Sequence, residues 1–102
     1  MGINAQNLDL GEKLVPQIPY YSASADLPNN DLNNGPTVYG SKLISIGCNN
    51  NTLNQPSGMS YAYVFQLGSS GSGVWIQFCF GDQINKFYIR AFWNSWGNWI
   101  EL

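Results

Sequence analysis

This chain of 102 residues predicts a mainly β protein, and three observations carry that expectation. Its second half alternates with a period of two, Tyr61, Tyr63, Phe65 and Leu67 opposing Ala62, Val64 and Gln66. Aromatics reach 15% while charged residues are only 10%, against a usual charged share of about a quarter. No stretch repeats apolar residues at helical spacing for more than a turn or two. A chain this long makes one domain that buries roughly two-thirds of its unfolded surface. The expected architecture is a small antiparallel meander, sandwich-like, with an extended N-terminal arm.

The arm is residues 1–25. Its apolar positions around Leu8, Leu10, Leu14 and Val15 are broken by Gly11 and Pro16, and Pro16 and Pro19 favour extended backbone. The body, residues 26–102, opens with one helical turn capped by Asp26, with Pro28 early in it. Asn33-Asn34-Gly35-Pro36 ends that turn. Thr37-Val38-Tyr39 and residues 42–46 then read as strand. Three strands follow: residues 60–67, 74–80 and 83–92, joined by the Gly/Ser loop 68–73 and by a tight turn at Gly81-Asp82. The middle strand is apolar on both faces, so both faces should be covered, one of them by another subunit.

Several function classes are excluded. The net charge is −2, and Lys13, Lys42, Lys86 and Arg90 form no basic stripe, so no nucleic acid is expected. No apolar run approaches a membrane span, so no membrane insertion is expected. Met1-Gly2-Ile3-Asn4 opens no secretory signal, which points to folding in the cytoplasm where the chain is made. Cys48 and Cys79 fit free thiols there better than a disulfide. There is no histidine, and Asp9, Glu12, Asp26, Asp31, Asp82 and Glu101 are turn and cap residues rather than a facing pair. The chain is expected not to be an enzyme. The Asn49-Asn50-Asn51-Thr52 loop with Asp26 and Asp31 could offer oxygens to a hard cation, but lacks the spacing of a calcium loop. No metal and no cofactor are expected.

One ordered set of short motifs points further. Asn54-Gln55-Pro56-Ser57-Gly58, then the lone Gln77, then Phe87-Tyr88-Ile89-Arg90, then Trp96 and Trp99 near the end, resemble the knob domains of R-type pyocin and bacteriophage tail fibres. The resemblance covers residues 26–102 and is tightest from Asn54 onward. It implies a small β knob that forms a homotrimer on a fibre. Such a virion part would be made in the host cytoplasm, touch a bacterial surface glycan, and join other virion proteins through residues 1–25. The end of the chain three residues past Trp99 is what a fibre tip would show. The alternative is a structural trimerisation or decoration module, such as a head fibre, with no ligand of its own.

The resemblance makes Trp96, Trp99, Gln77, Pro56 and Gly58 framework residues. Trp93 lies outside the shared pair, and with Asn94 and Asn98 beside it could stack on a pyranose and bond its hydroxyls. Arg90 has two uses: to meet an acidic sugar or phosphate, or to stack on a tryptophan within the fold. Gln77, amid apolar neighbours, needs its amide satisfied, and a bond across the subunit interface would do that. The loops 49–54, 69–72 and 93–98 are expected at one end of the meander, as a recognition surface.

Overall fold

The computed structural model describes residues 18–36, 42–81 and 85–102. It is mainly β, as the sequence predicts. Strands β1 (Tyr20–Ser22), β2 (Ile44–Gly47), β3 (Ala62–Ser69), β4 (Val74–Gly81), β5 (Phe87–Trp93) and β6 (Ser95–Trp96) lie in that order, and β7 (Ile100–Glu101) also pairs with β5. The β3–β4–β5 meander is antiparallel throughout. The strand predicted at 83–92 begins later and runs to Trp93; residues 82–84, with the Gly81-Asp82 turn, and Thr37-Val38-Tyr39 lie outside the described residues. The first hairpin is tighter than predicted: Ser69 pairs with Val74, and a four-residue turn closes with Gly73 N–H donating to Ser69 O at 2.9 Å.

Two features differ from the sequence expectation. Strand β1 pairs in parallel with β2, Tyr20 beside Ser45, and Ala23 is fully buried in the core. The boundary drawn at Asp26 therefore falls inside the folded body, because β1 supplies an edge strand that proline content alone concealed. Residues 1–17 of the expected arm lie outside the described residues. The architecture is also one mixed sheet rather than two stacked ones. Its second layer is a four-residue helix, α1 (Ala23–Asp26), two 3₁₀ turns (Pro28–Asn30 and Leu32–Asn34), and the 48–60 loop.

Asp26 ends α1 instead of capping it. Its carboxylate accepts from Ser22 N–H at 2.8 Å, the backbone of the true N-cap, and so satisfies one orphan donor of the first turn. Pro28 does start the first 3₁₀ turn. Asp31 caps the second, accepting from Asn33 N–H at 2.9 Å. Asn29, Asn30, Asn54 and Asn94 all have positive φ. Asparagine tolerates that region better than other residues with a β-carbon, so the asparagine content serves the turns first.

The core lies on one face of the sheet. Ile44 and Ile46 of β2, Ala62 and Val64 of β3, and Cys79 of β4 meet Ala23, Leu27, Leu32 and Cys48, flanked by Tyr21, Met59, Tyr88 and Trp99. Cys48 and Cys79 are both buried free thiols. Burial pushes each up to about 12. The other face carries Tyr63, Phe65 and Leu67 of β3, Val74, Ile76, Phe78 and Phe80 of β4, Phe87, Ile89 and Trp93 of β5, and Ile100 of β7, set by the strand register. Their rings pack sideways, Tyr63 on Phe80 and Phe78 on Phe87 with centroids 5.9 Å apart. Tyr63, Phe65, Leu67, Val74, Ile76, Phe87, Trp93 and Ile100 are exposed in the single chain, so the chain's own described residues cover β4 mainly on the other face.

Candidate functional site

A row of polar side chains crosses the covered face. The register sets Ile44, Gln66, Gln77 and Arg90 side by side on β2 to β5. Gln77 Nε2 donates to Gln66 Oε1 at 3.0 Å and to Leu32 O at 2.9 Å, while Arg90 Nε donates to Gln77 Oε1 at 2.9 Å. Both glutamines are fully buried. A buried amide without partners costs roughly 1–3 kcal/mol, and Gln77 avoids that cost by tying the second 3₁₀ turn to the sheet. The bond across a subunit interface expected for Gln77 is thus replaced by bonds within one chain.

The row ends in an aromatic clamp. The Arg90 guanidinium carbon lies 4.1 Å from the Trp96 ring centroid and 4.5 Å from that of Trp99. Residues three apart on a regular strand point to opposite faces, so Trp96 and Trp99 should not share a cation. A bulge resolves this. Between the Phe92–Trp96 and Ile89–Ile100 pairs, β5 has two intervening residues and the returning segment has three. The extra residue shifts the parity and brings both indoles to the covered face. Each indole is then pinned: Trp96 Nε1 donates to Asn33 O at 3.3 Å and Trp99 Nε1 to Asn54 O at 2.9 Å.

Arg90 is only 5% exposed. Burial pulls its guanidinium down to about 10, with Asp31 acting against that, so it stays charged at neutral pH. Contact with two aromatic faces contributes on the order of 2 kcal/mol for a desolvated cation. Its Nη2 is nevertheless buried without a hydrogen-bond partner, as are Asn33 Oδ1 and Gln55 Oε1. Those three residues, with Asn54, Asn98 and the edges of the two indoles, line an open cleft of about 270 Å³.

The structure separates the predicted ligand residues into two places. Arg90 and Asn98 line the cleft. Trp93 lies three residues from Arg90 on β5, hence on the open face, and at 73% exposure is the most exposed large apolar side chain described. Asn94 forms the tight β5–β6 turn with φ of 66°, a backbone reason for its identity. Of the predicted framework residues, Gln77 is fully buried, and Trp96 and Trp99 are half-buried on the wall of the cleft. Pro56 is fully buried, and Gly58, at φ of 88°, lets the Pro56–Met59 turn close with Met59 N–H donating to Pro56 O at 3.1 Å.

The predicted recognition loops part in the same way. The 70–73 turn and Trp93 share one end of the sheet, since Val74 pairs with Trp93. The 49–54 loop instead crosses the covered face, where Leu53 bridges Asp31 and Asn54 Nδ2 donates to Asp31 Oδ1 at 2.8 Å. Its oxygens serve the fold: Asn49 Oδ1 accepts from Asn30 Nδ2 at 3.0 Å and from Asn51 N–H at 2.9 Å. Among the described residues no cluster of three metal-ligating side chains occurs.

Sequence reasoning missed Gln66, Asn33 and Gln55. Gln66 had a signal: it and Gln77 are equidistant from the centre of the 70–73 turn, so that hairpin pairs them. Asn33 and Gln55 arrive on irregular segments and had none.

The fold and cleft define a small β domain with an internal cation clamp, a polar cleft and an unpartnered aromatic face. No family model, no curated protein and no solved structure matches this chain.

Proposed function

We propose that this domain is a non-catalytic attachment knob of a phage tail fibre or tailocin, assembling as a homotrimer through its open sheet face and taking part in contact with a bacterial surface glycan. The observation that carries the proposal is the open face itself. Among the described residues on that face of β3, β4 and β5 none is charged, and Leu67, Phe87 and Trp93 stand well out of the chain's own cover. Monomeric soluble proteins rarely leave so continuous an apolar surface to water, and closed symmetric assembly is the common way to bury one. The ordered motif set that resembles pyocin and tail-fibre knobs supports the same assignment. The runner-up, a trimerisation or decoration module without a ligand, is favoured by one observation: Trp96, Trp99, Arg90 and Gln77 all have partners inside the chain.

Sedimentation at micromolar concentration tests the assembly. The expected species has three times the chain mass, and Ile76→Lys, on the open face, should dissociate it while leaving the fold intact. A wild-type monomer would sink the proposal. Inhibition of phage or tailocin adsorption by the purified domain separates the attachment knob from the ligand-free module.

A further inference from the structure

We propose that the cleft beside Arg90 is a saccharide site, taking a neutral polyhydroxylated ring rather than an anion. The proposal rests on the attachment reading for its biological use, but its chemistry stands on the cleft alone. Among the described residues four buried side-chain atoms lack a hydrogen-bond partner. Gln66 Nε2 lies away from the cleft, and the three on cleft-lining residues are one donor, Arg90 Nη2, and two acceptors, Asn33 Oδ1 and Gln55 Oε1. The orientation of Gln55 is not arbitrary, because its Nε2 donates to Asn49 O at 2.8 Å and to Thr52 O at 3.2 Å. That amide cannot be turned without losing both bonds, so its oxygen faces inward.

A carboxylate offers acceptors only, and inorganic phosphate at neutral pH adds one or two hydroxyls to an anion. Either would satisfy Arg90 but set its charge against two amide oxygens and against the Asp31 carboxylate, which already stabilises the charged guanidinium. A hydroxyl both accepts and donates. Neighbouring hydroxyls on one sugar ring can accept from the guanidinium while donating to Asn33 and Gln55, which pairs all three atoms. The exposed amides of Asn54 and Asn98 at the rim give the ring further partners. The cleft, about 270 Å³, is slightly smaller than the usual ligand pocket of about 300–1,000 Å³. It suits one sugar unit. The indole faces that flank Arg90 are taken by the guanidinium, so recognition here is by hydrogen bonds at ring edges, not by stacking.

The test is an NMR titration of the full chain, following the Arg90 Nε–H and the Trp96 and Trp99 indole N–H resonances. The probes are glucose, galactose and N-acetylglucosamine, with N-acetylneuraminic acid and inorganic phosphate as the anionic arm. A neutral sugar should give saturable shifts at the clamp with Kd of roughly millimolar order, and phosphate should give none. Asn33→Ala is the decisive variant, because the backbone bonds of Asn33 to Asp31 and Trp96 survive it. Removal of a buried acceptor that has no partner should leave the melting temperature unchanged or higher. The same change should weaken sugar binding by about five-fold or more. No shift with any neutral sugar, a stronger response to phosphate, or shifts confined to Trp93 would each overturn the proposal. A chain that binds sugar as a monomer would keep this site and sink the trimer. A trimer that ignores all three sugars would do the reverse.

Discussion

The two faces of the sheet invert the usual distribution. The covered face of β3 and β4 presents Ala62, Val64, Gln66, Trp75, Gln77 and Cys79, small or polar for the most part. The open face presents Tyr63, Phe65, Leu67, Ile76, Phe78 and Phe80. Within β3 alone Val64 is 1% exposed and Leu67 is 55%. Burial of apolar area drives folding at roughly 25 cal/mol per Å², so a sheet that turns its larger apolar side chains outward has left much of that drive unused. The difference assigns the faces to two processes. The covered face specifies the monomer through directed bonds, and on the proposed reading the open face holds apolar area in reserve for association.

Neighbouring positions on one strand give the sharpest way to break that comparison. Gln77→Ala leaves Gln66 Oε1 and Arg90 Nε without these partners and takes one of two donors from Leu32 O, which keeps the Gly35 N–H. The expected loss is about 2–5 kcal/mol, from about 1–3 kcal/mol for each of the two buried groups left unpaired. Ile76→Ala, one residue away and facing out, should cost the monomer about 1 kcal/mol or less while weakening self-association. Urea unfolding and sedimentation of the two variants separate the roles. Equal stability losses would mean that the faces are not divided in this way.

A smaller effect tests how closely the inner layer is fitted. Gly35 has φ of −54° and ψ of −51°, ordinary helical backbone that alanine adopts freely. On backbone entropy alone Gly35→Ala should stabilise by about 0.4–1 kcal/mol. The added Cβ would run into the Gln66 side-chain amide. Gln66 can yield only by abandoning Gln77, so overpacking should win and the net cost should be about 1–3 kcal/mol. A higher melting temperature would show the amide row to be looser than its distances imply.

How far the molecule is legible in its sequence follows from where each signal is stored. The meander is written in local alternation, and β3, β4 and β5 fall near their predicted places for that reason. Which face turns inward is not written there, because hydrophobicity points the wrong way when the larger apolar side chains face out of the chain. The pairing of β1 with β2 joins Tyr20 to Ser45, across too many residues for any local pattern. Gln77 and Arg90 stand out by residue type. The clamp does not, since a Trp-x-x-Trp spacing contradicts strand periodicity until the bulge at residues 97–99 is known. The cleft is least legible of all: Asn33 reaches it on a 3₁₀ turn and Gln55 on a loop, and only the packed fold decides where either comes to rest.

The two buried thiols give the smallest effect and a sign that can be worked out. An unfolded cysteine ionises near 9, and Cys48 and Cys79 are pushed to about 12 in the fold, first by burial. Cys48 is partly relieved by the Thr52 hydroxyl, whereas Cys79 is raised further by Cys48. Above pH 9 the unfolded chain therefore binds fewer protons than the folded one, and stability falls as pH rises. Arg90 acts in the opposite direction: its folded value of about 10 lies below the ordinary 12.5, so above pH 10 its deprotonation begins to favour the fold. The clean window is thus from 9 to 10. Unfolding under anaerobic, reducing conditions should show a loss of about 1 kcal/mol per thiol between pH 8 and 10, and Cys79→Ala should roughly halve the slope. A flat profile across that window would mean that water reaches both thiols, and that the covered face is less closed than its burial indicates.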